Sequence, residues 1–491
     1  PEGAWDARAV GIVSREALLE ADAVPQVKPK RTWKQWTRIG VTAGAFAGVV
    51  ALIVLFILNY RANTLHARLL ALALNGLEDS KDKLAAAELF RAAGEYQLHA
   101  QTPNATAANI HFGQARQEAT HPANLAHRYE PDCLLTDLLR SEVDLGSISE
   151  SRDIELREIQ DNKRIKWDDA QKLMTQTFQN LRVPEARAEA LTLITRDLRG
   201  KHKKRSRPWA SQFPDQTPEL LAVLGLEILR TSKEPMEIAE AKDLAGQASQ
   251  PFQPHPPANP AEPQKKKPPL PASLIALWVA LDQQEQAQKL VGTPEQGKPV
   301  DPAVVLGLAE GFARKGEWEQ ANQALEHAPP ANQLPVLVAL AAVAQDTPDS
   351  GKAKSYLEKA FAAAASDPKL QELSPWLLYR LVRLGAKAGM EDKALALAKQ
   401  IPDGDLRGRA QLAILRERLE KSNQVVDEGP LQIVDKDTPA HGLALEAWAR
   451  HNAGLAGTAV QKSVDAWPAE TDRRFGYLGI LLGLRDADKP R

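Results

Sequence analysis

Four side chains able to ligate a transition metal or haem iron, His111, His121, His127 and Cys133, fall within twenty-three residues. Imidazole and thiolate are the usual protein ligands of zinc, copper and iron. None of the four stands at the i, i+4 spacing that puts two ligands on one helix face, and none forms a C-x-x-C pair. The pattern alone therefore assembles no metal or haem centre. Cys133 is the only cysteine, which excludes an internal disulfide framework and Cys-based zinc or haem-attachment motifs. Elsewhere there is no Gly-rich phosphate loop, no strained Ser elbow and no carboxylate pair at acid–base spacing. The reading is of a protein that is not an enzyme and carries no resident cofactor.

The densest charge is RGKHKKRSRPW, residues 199–209, with Arg199, Lys201, Lys203, Lys204, Arg205 and Arg207. Such a run offers a counter-charge to an acidic partner or a lipid surface; the plain alternative is a solvated loop. Nucleic acid is not expected. The net charge is −1, and basic patches that hold nucleic acid interleave exposed aromatics or sit on a recognised binding fold.

Which elements would hold such groups in place? The most legible is IGVTAGAFAGVVALIVLFIL, residues 39–58, twenty positions without a charge. At 1.5 Å per residue a helix of this length spans about 30 Å, the thickness of a bilayer's hydrocarbon core. A cleaved signal peptide is disfavoured by the 38 mostly polar residues that precede the stretch and by its length. KPKRTWKQWTR on the N-terminal side carries five cations, whereas NYRANTLHAR on the other side carries two, Arg61 and Arg68. That bias places the N-terminus in the cytoplasm and the bulk of the chain outside it, in the periplasm of a Gram-negative-type cell. Gly40, Gly44 and Gly48 form a smooth stripe on which a second membrane helix would pack closely, from a twin chain or another membrane protein.

Beyond the span, aromatic residues make up 5% of the chain, and Ala and Leu dominate, which favours helix packed on helix over sheet. In GFARKGEWEQANQALEHAPP, residues 311–330, a break at Lys315-Gly316 precedes a second helix with Ala321, Leu325 and Ala328 on one face. Gly389 with Ala394, and Gly454 with Ala459, repeat the same five-residue offset. RAEALTLITR (187–196) parallels RGRAQLAILR (407–416), with Arg, Ala, Ile and Arg at equal offsets.

These helix–turn–helix units resemble the tetratricopeptide repeat (TPR), whose 34 residues carry small side chains at fixed positions. The resemblance rests on Leu308, Ala309, Phe312, Gly316, Ala321, Leu325 and Ala328 within 302–335, and on Leu70, Leu74, Leu77, Ala86, Phe90 and Ala93 within 67–100. Lys81 stands where the turn glycine of that second unit belongs. The expectation is an all-α protein, one transmembrane helix followed by a degenerate TPR-like α-solenoid. In that family the first helix of each pair lines a concave groove. Carried over, the resemblance puts Trp376, Tyr379, Arg383, His441, Trp448 and His451 on a partner-binding face. Aromatics and Arg are the usual anchors of such faces. The alternative reading has Trp376 and Trp448 filling gaps between repeats.

Composition marks the boundaries. Residues 251–271 hold nine prolines in twenty-one positions and form an extended connector. The expected order is a cytoplasmic tail with its basic segment (1–38), the span (39–58), a membrane-proximal helical region (61–250), the linker (251–271) and a distal repeat domain (272–491). Residues 104–132, polar and poorly periodic, read as a long loop with short helices. The chain resembles single-pass envelope proteins with exterior TPR domains. This implies a scaffold that assembles a membrane complex through other protein subunits, with a periplasmic chaperone for client polypeptides as the alternative.

Overall fold

Proline opens many of the helices. Pro184, Pro218, Pro235, Pro302, Pro330 and Pro375 each stand at a first helical position, where the missing N–H would be unpaired in any case. The computed structural model describes residues 64–100, 104–152, 167–201, 218–231, 233–252, 269–291, 301–347, 350–366 and 374–487. Every regular element among them is helical. The 39–58 stretch, with Gly40, Gly44 and Gly48, lies outside the described residues. Among those that are described, no helix is long and apolar enough to cross a membrane.

The chain lays down α1 (Lys83–His99), α2 (Ala105–Ala119), α3 (Glu130–Arg152), α4 (Trp167–Gln179), α5 (Pro184–Lys201), α6 (Pro218–Thr231) and α7 (Pro235–Ser249). It continues with α8 (Ala272–Ala280), α9 (Gln284–Val291), α10 (Pro302–Lys315), α11 (Trp318–Glu326), α12 (Pro330–Gln345) and α13 (Ser350–Ser366). The remainder is α14 (Pro375–Lys387), α15 (Glu391–Ala398), α16 (Gly404–Lys421), α17 (Ala440–Ala456), α18 (Gln461–Asp465) and α19 (Glu470–Ala487).

Residues 104–132 depart from the expected loop. Helix α2 runs fifteen residues, packs on α1 and α3, and buries Ala108, Phe112, Ala115 and Ala119. Its apolar stripe is thin because three of those four residues are alanine. Phe112 fits only because Gly94 of α1 leaves room for its ring.

Three short turns share one backbone. At Gly316 (φ +85°) and Gly389 (φ +78°), the following amide donates to a carbonyl five residues back, Glu317 to Phe312 and Met390 to Gly385. This left-handed helix stop favours glycine. The third instance was not anticipated: Asp282 (φ +61°) adopts it between α8 and α9, with Gln283 N–H donating to the Trp278 carbonyl. Five residues after each lies a buried alanine, Ala287, Ala321 or Ala394. The third expected example is displaced. Gly454 lies within α17, and the residue with positive φ is Gly457 (φ +62°).

A second recurrent device ties each new helix to its predecessor. Arg187, Arg407 and Arg473 sit three residues into α5, α16 and α19, and each guanidinium donates to a carbonyl six residues upstream: Leu181, Ile401 and Trp467. The parallel between 187–196 and 407–416 therefore extends to a shared hydrogen bond.

Helices adjacent in the array approach very closely. Gly307 and Gly311 of α10 lie against the Ala272 and Ala276 carbonyls of α8, and Gly479 and Gly483 of α19 against the Glu446 and Arg450 carbonyls of α17. One apolar cluster runs from Leu221 through Ala248 to Leu274, Trp278 and Val304. Trp278 Nε1 donates to Ser249 Oγ at 3.0 Å. The Pro-rich connector thus joins two flanks of a single core.

Following the helix contacts, α1, α3, α5, α6, α8, α10, α12, α14, α16, α17 and α19 each pack on the next, and α19 packs on α1. Within the unit formed by residues 67–491, the array closes on itself. The inner side chains of α1, α3 and α5 meet those of α14, α16 and α17 and Asp346 just after α12.

Candidate functional site

Arg409 stands at the middle of this inner seam, on the buried face of α16. It follows Gly408, whose missing side chain admits Thr438 and Ala440. The guanidinium bonds three carboxylates from two other helices. Nε donates to Glu130 Oε1 and Oε2 at 2.9 and 3.0 Å, Nη2 to Glu88 Oε1 at 2.5 Å, and Nη1 to Asp137 Oδ2 at 3.1 Å. Glu88 is shared with Arg91 of the same helix at 2.8 Å. Arg91 also contacts Glu95 at 3.3 Å and reaches toward Glu446 of α17 at 3.9 Å.

Desolvation dominates the electrostatics here. Burial pushes Glu130 up to about 7 against the pull of Arg409, with Glu88 and Asp405 adding repulsion. Burial likewise raises Glu446 in spite of Arg91, Arg416 and Arg450. For Asp137 burial is outweighed by Arg409, Arg91, Arg416 and Arg140, and for Glu95 by Arg91, Arg450 and Arg485; both titrate below the ordinary carboxylate range. A carboxylate near 7 is suited to proton transfer, but Glu130 is 1% exposed and Arg409 4%. A group so enclosed fastens helices.

An aromatic series runs beside the charges. Tyr129, just before α3, lies 6.1 Å from Trp376 of α14 between ring centroids, and Trp376 meets Tyr379 edge-on at 5.5 Å. Arg383 caps Tyr379 at 5.2 Å and pairs with Glu189 of α5. At one end of the seam Arg450 bridges Glu95 (3.5 Å) and Asp486 (2.7 Å). At the other, Glu227 gathers Arg230 at 2.7 Å, Arg196 at 3.4 Å and Arg314 at 4.0 Å, and Arg196 reaches Asp346 at 2.8 Å. Next to the seam is a polar cleft of about 310 Å³ lined by His127, Asp405, Arg407, Asp435, Lys436, Asp437 and Thr438. Its charged walls pair with each other, His127 with Asp405 at 2.8 Å and Arg407 with Asp435 at 3.1 Å.

The residues expected to line a partner groove are placed as follows. Trp376, Tyr379 and Trp448 are 6%, 9% and 4% exposed. The first two, with Arg383, face the chain's own α3 and α5. Trp448 Nε1 donates to the Val426 and Asp427 carbonyls, and its ring packs on Trp467. His441 is half-buried, and desolvation lowers its pKa; His451 lies 3.0 Å from the Gln424 carbonyl. Lys201 ends α5, while Lys203, Lys204, Arg205 and Arg207 lie outside the described residues.

The histidine-rich stretch is dispersed. His111 stacks on Phe90, His121 accepts from Ala123 N–H, His127 bonds Asp405, and Cys133 is buried. Among the described residues no group of three His, Cys, Asp or Glu side chains is arranged to hold a metal ion.

Sequence reasoning missed Arg409 and its carboxylates because charged residues on helices are ordinarily solvated. A signal did exist: Glu88, Glu227 and Glu446 each sit inside an apolar run followed by Arg, in AAAELFR, LGLEILR and LALEAWAR. No protein-family model matches the chain, and neither a curated protein nor a solved structure matches it.

Proposed function

We propose that this chain is a non-catalytic, single-pass membrane scaffold, anchored through residues 39–58, that tethers other protein subunits of a membrane complex. In this reading the N-terminus is cytoplasmic and residues 67–491 stand on the extracytoplasmic face. The helix pairs are a degenerate derivative of the tetratricopeptide type, with second helices shortened to eight or nine residues in α9, α11 and α15. The observation that carries the proposal is the closed helical array, whose α1 begins twenty-five residues after an uninterrupted apolar stretch of bilayer length. Buried ion pairs specify which helices meet and so give partners a defined frame to assemble on. An inner face covered by the chain's own helices favours the scaffold over a chaperone that holds a groove open to clients.

The test is extraction from native membranes in mild detergent, followed by size separation and identification of what co-migrates. The scaffold predicts a fixed set of companions, reduced or lost on Gly44→Leu. A chain that runs free, or one that leaves the membrane in a salt wash, contradicts it.

A further inference from the structure

The two sides of the inner seam are chemically unequal. On the side formed by α1–α5 the groups are mainly acidic: Glu88, Glu95, Glu130, Asp137 and Glu189. On the side formed by α14–α19 they are Arg383, Arg409, Arg450 and Arg485, with Trp376 and Tyr379 between. Pairs of reversed sign are Arg91–Glu446 and His127–Asp405, and Arg196 of α5 pairs with Asp346 just after α12. The side facing α3 is therefore a basic, aromatic surface, and α3 covers it with Tyr129, Glu130 and Asp137.

The two sides also meet differently from neighbours in the array. Adjacent helices touch backbone to backbone at glycines, as α19 does on α17. Across the seam, α3 meets α16, and α5 meets α14, through long side chains that span the gap. Contacts of this kind, polar and without close backbone approach, resemble interfaces between domains that move relative to one another; the two sides stay joined where α19 packs on α1.

We infer that the inner face of α14–α19 is a masked docking surface for an acidic helix of a partner protein, and that α3 occupies it in the closed form as an internal mimic of that partner. The partner helix carries an aromatic residue at its start and carboxylates one and eight positions later, the arrangement of Tyr129, Glu130 and Asp137. The inference rests on the scaffold reading and adds to it where the partner binds and what its chemistry is.

The probe is a labelled peptide of residues 129–145 with Ser in place of Cys133, and its control has every carboxylate replaced by Lys. Binding is read by anisotropy against the full chain in detergent micelles. Tyr129→Ala with Asp137→Asn weakens the internal cover without altering α14–α19. This variant should bind the acidic peptide at least tenfold more tightly than the parent chain, ignore the basic control, and lose binding when Arg383→Glu is added. A cooperatively melting variant that binds neither peptide, or both alike, overturns the inference. Should the variant not fold, hydrogen exchange on the unaltered chain decides. Amides of residues 135–139 and 409–413, inside α3 and α16, should exchange through an opening that leaves 478–482 protected, and equal protection of all three overturns the proposal. Stable companions without peptide binding would retain the scaffold and refute the mask; peptide binding without companions would do the reverse.

Discussion

Arg409 Nη2 lies 2.5 Å from Glu88 Oε1, joining residues 321 positions apart in the sequence. The same guanidinium holds Glu130 and Asp137, so one side chain binds the first and third helices to the sixteenth. Taking these charges from water costs several kcal/mol per ion, and mutual pairing offsets that cost only while every partner is in place. The network therefore fixes which helices meet more than it adds net stability.

Removing Arg409 should be the most costly single change at the seam. Arg409→Met leaves Glu130 buried without its cation and Glu88 with Arg91 alone, and a loss of about 3–5 kcal/mol is expected. Adding Glu88→Gln and Glu130→Gln should recover a substantial part of it. Urea unfolding of the single and combined variants measures both effects.

Glu130 gives the seam a pH signature. Its folded value of about 7 exceeds the ordinary carboxylate value of 4.5. The folded state thus holds this proton more tightly, so the contribution is full below pH 4.5 and is lost as pH rises to 7. At 1.36 kcal/mol per pH unit this is at most about 3 kcal/mol. His111 and His441, both lowered by burial, act in the opposite sense: their contribution is present above pH 6.5 and lost as pH falls. The melting temperature of Glu130→Gln, followed from pH 5 to 8, should show the falling component removed and the histidine component intact.

At the left-handed turns the outcomes should have opposite signs. Gly316→Ala or Gly389→Ala forces a side chain into φ near +80° and should cost about 1–2 kcal/mol. Asp282→Gly relieves the same strain and gives up only an exposed pairing with Lys315, which is worth at most about 1 kcal/mol. It should be neutral or stabilising by up to ~1 kcal/mol. Chemical denaturation of the three variants is the check.

The close contact of α19 on α17 predicts intolerance of even a methyl group. In Gly483→Ala the new carbon would strike the Arg450 carbonyl, backbone that cannot yield without moving the helix. Overpacking of this kind costs about 1–3 kcal/mol. Gly113→Ala, with open space at the same point, should be neutral or slightly stabilising in the same thermal melts.

Helical class, the Gly316 and Gly389 turns and the buried Ala five residues on were legible because each is a local rule of backbone or packing. The parallel of 187–196 with 407–416 was legible as sequence, although the bond from its first Arg to an upstream carbonyl was not. Asp282 hid a third turn because αL residues other than glycine carry no distinct signature. Trp376, Tyr379 and Arg383 read as a face open to partners, since nothing local tells that α3 and α5 return to cover them. Ring closure depends on pairs such as Glu95 with Arg450, 355 positions apart, and such distances leave no trace in periodicity.

The central claim is that the array closes through this seam. Arg140 of α3 and Arg416 of α16 are both exposed and both close enough to Asp137 to hold its carboxylate ionised. Spin labels at Arg140→Cys and Arg416→Cys, in the full chain with buried Cys133 left unlabelled, report the separation of the two sides directly. One short, narrow distance distribution is the predicted result. A broad distribution centred on long distances would mean an open solenoid and would contradict the account.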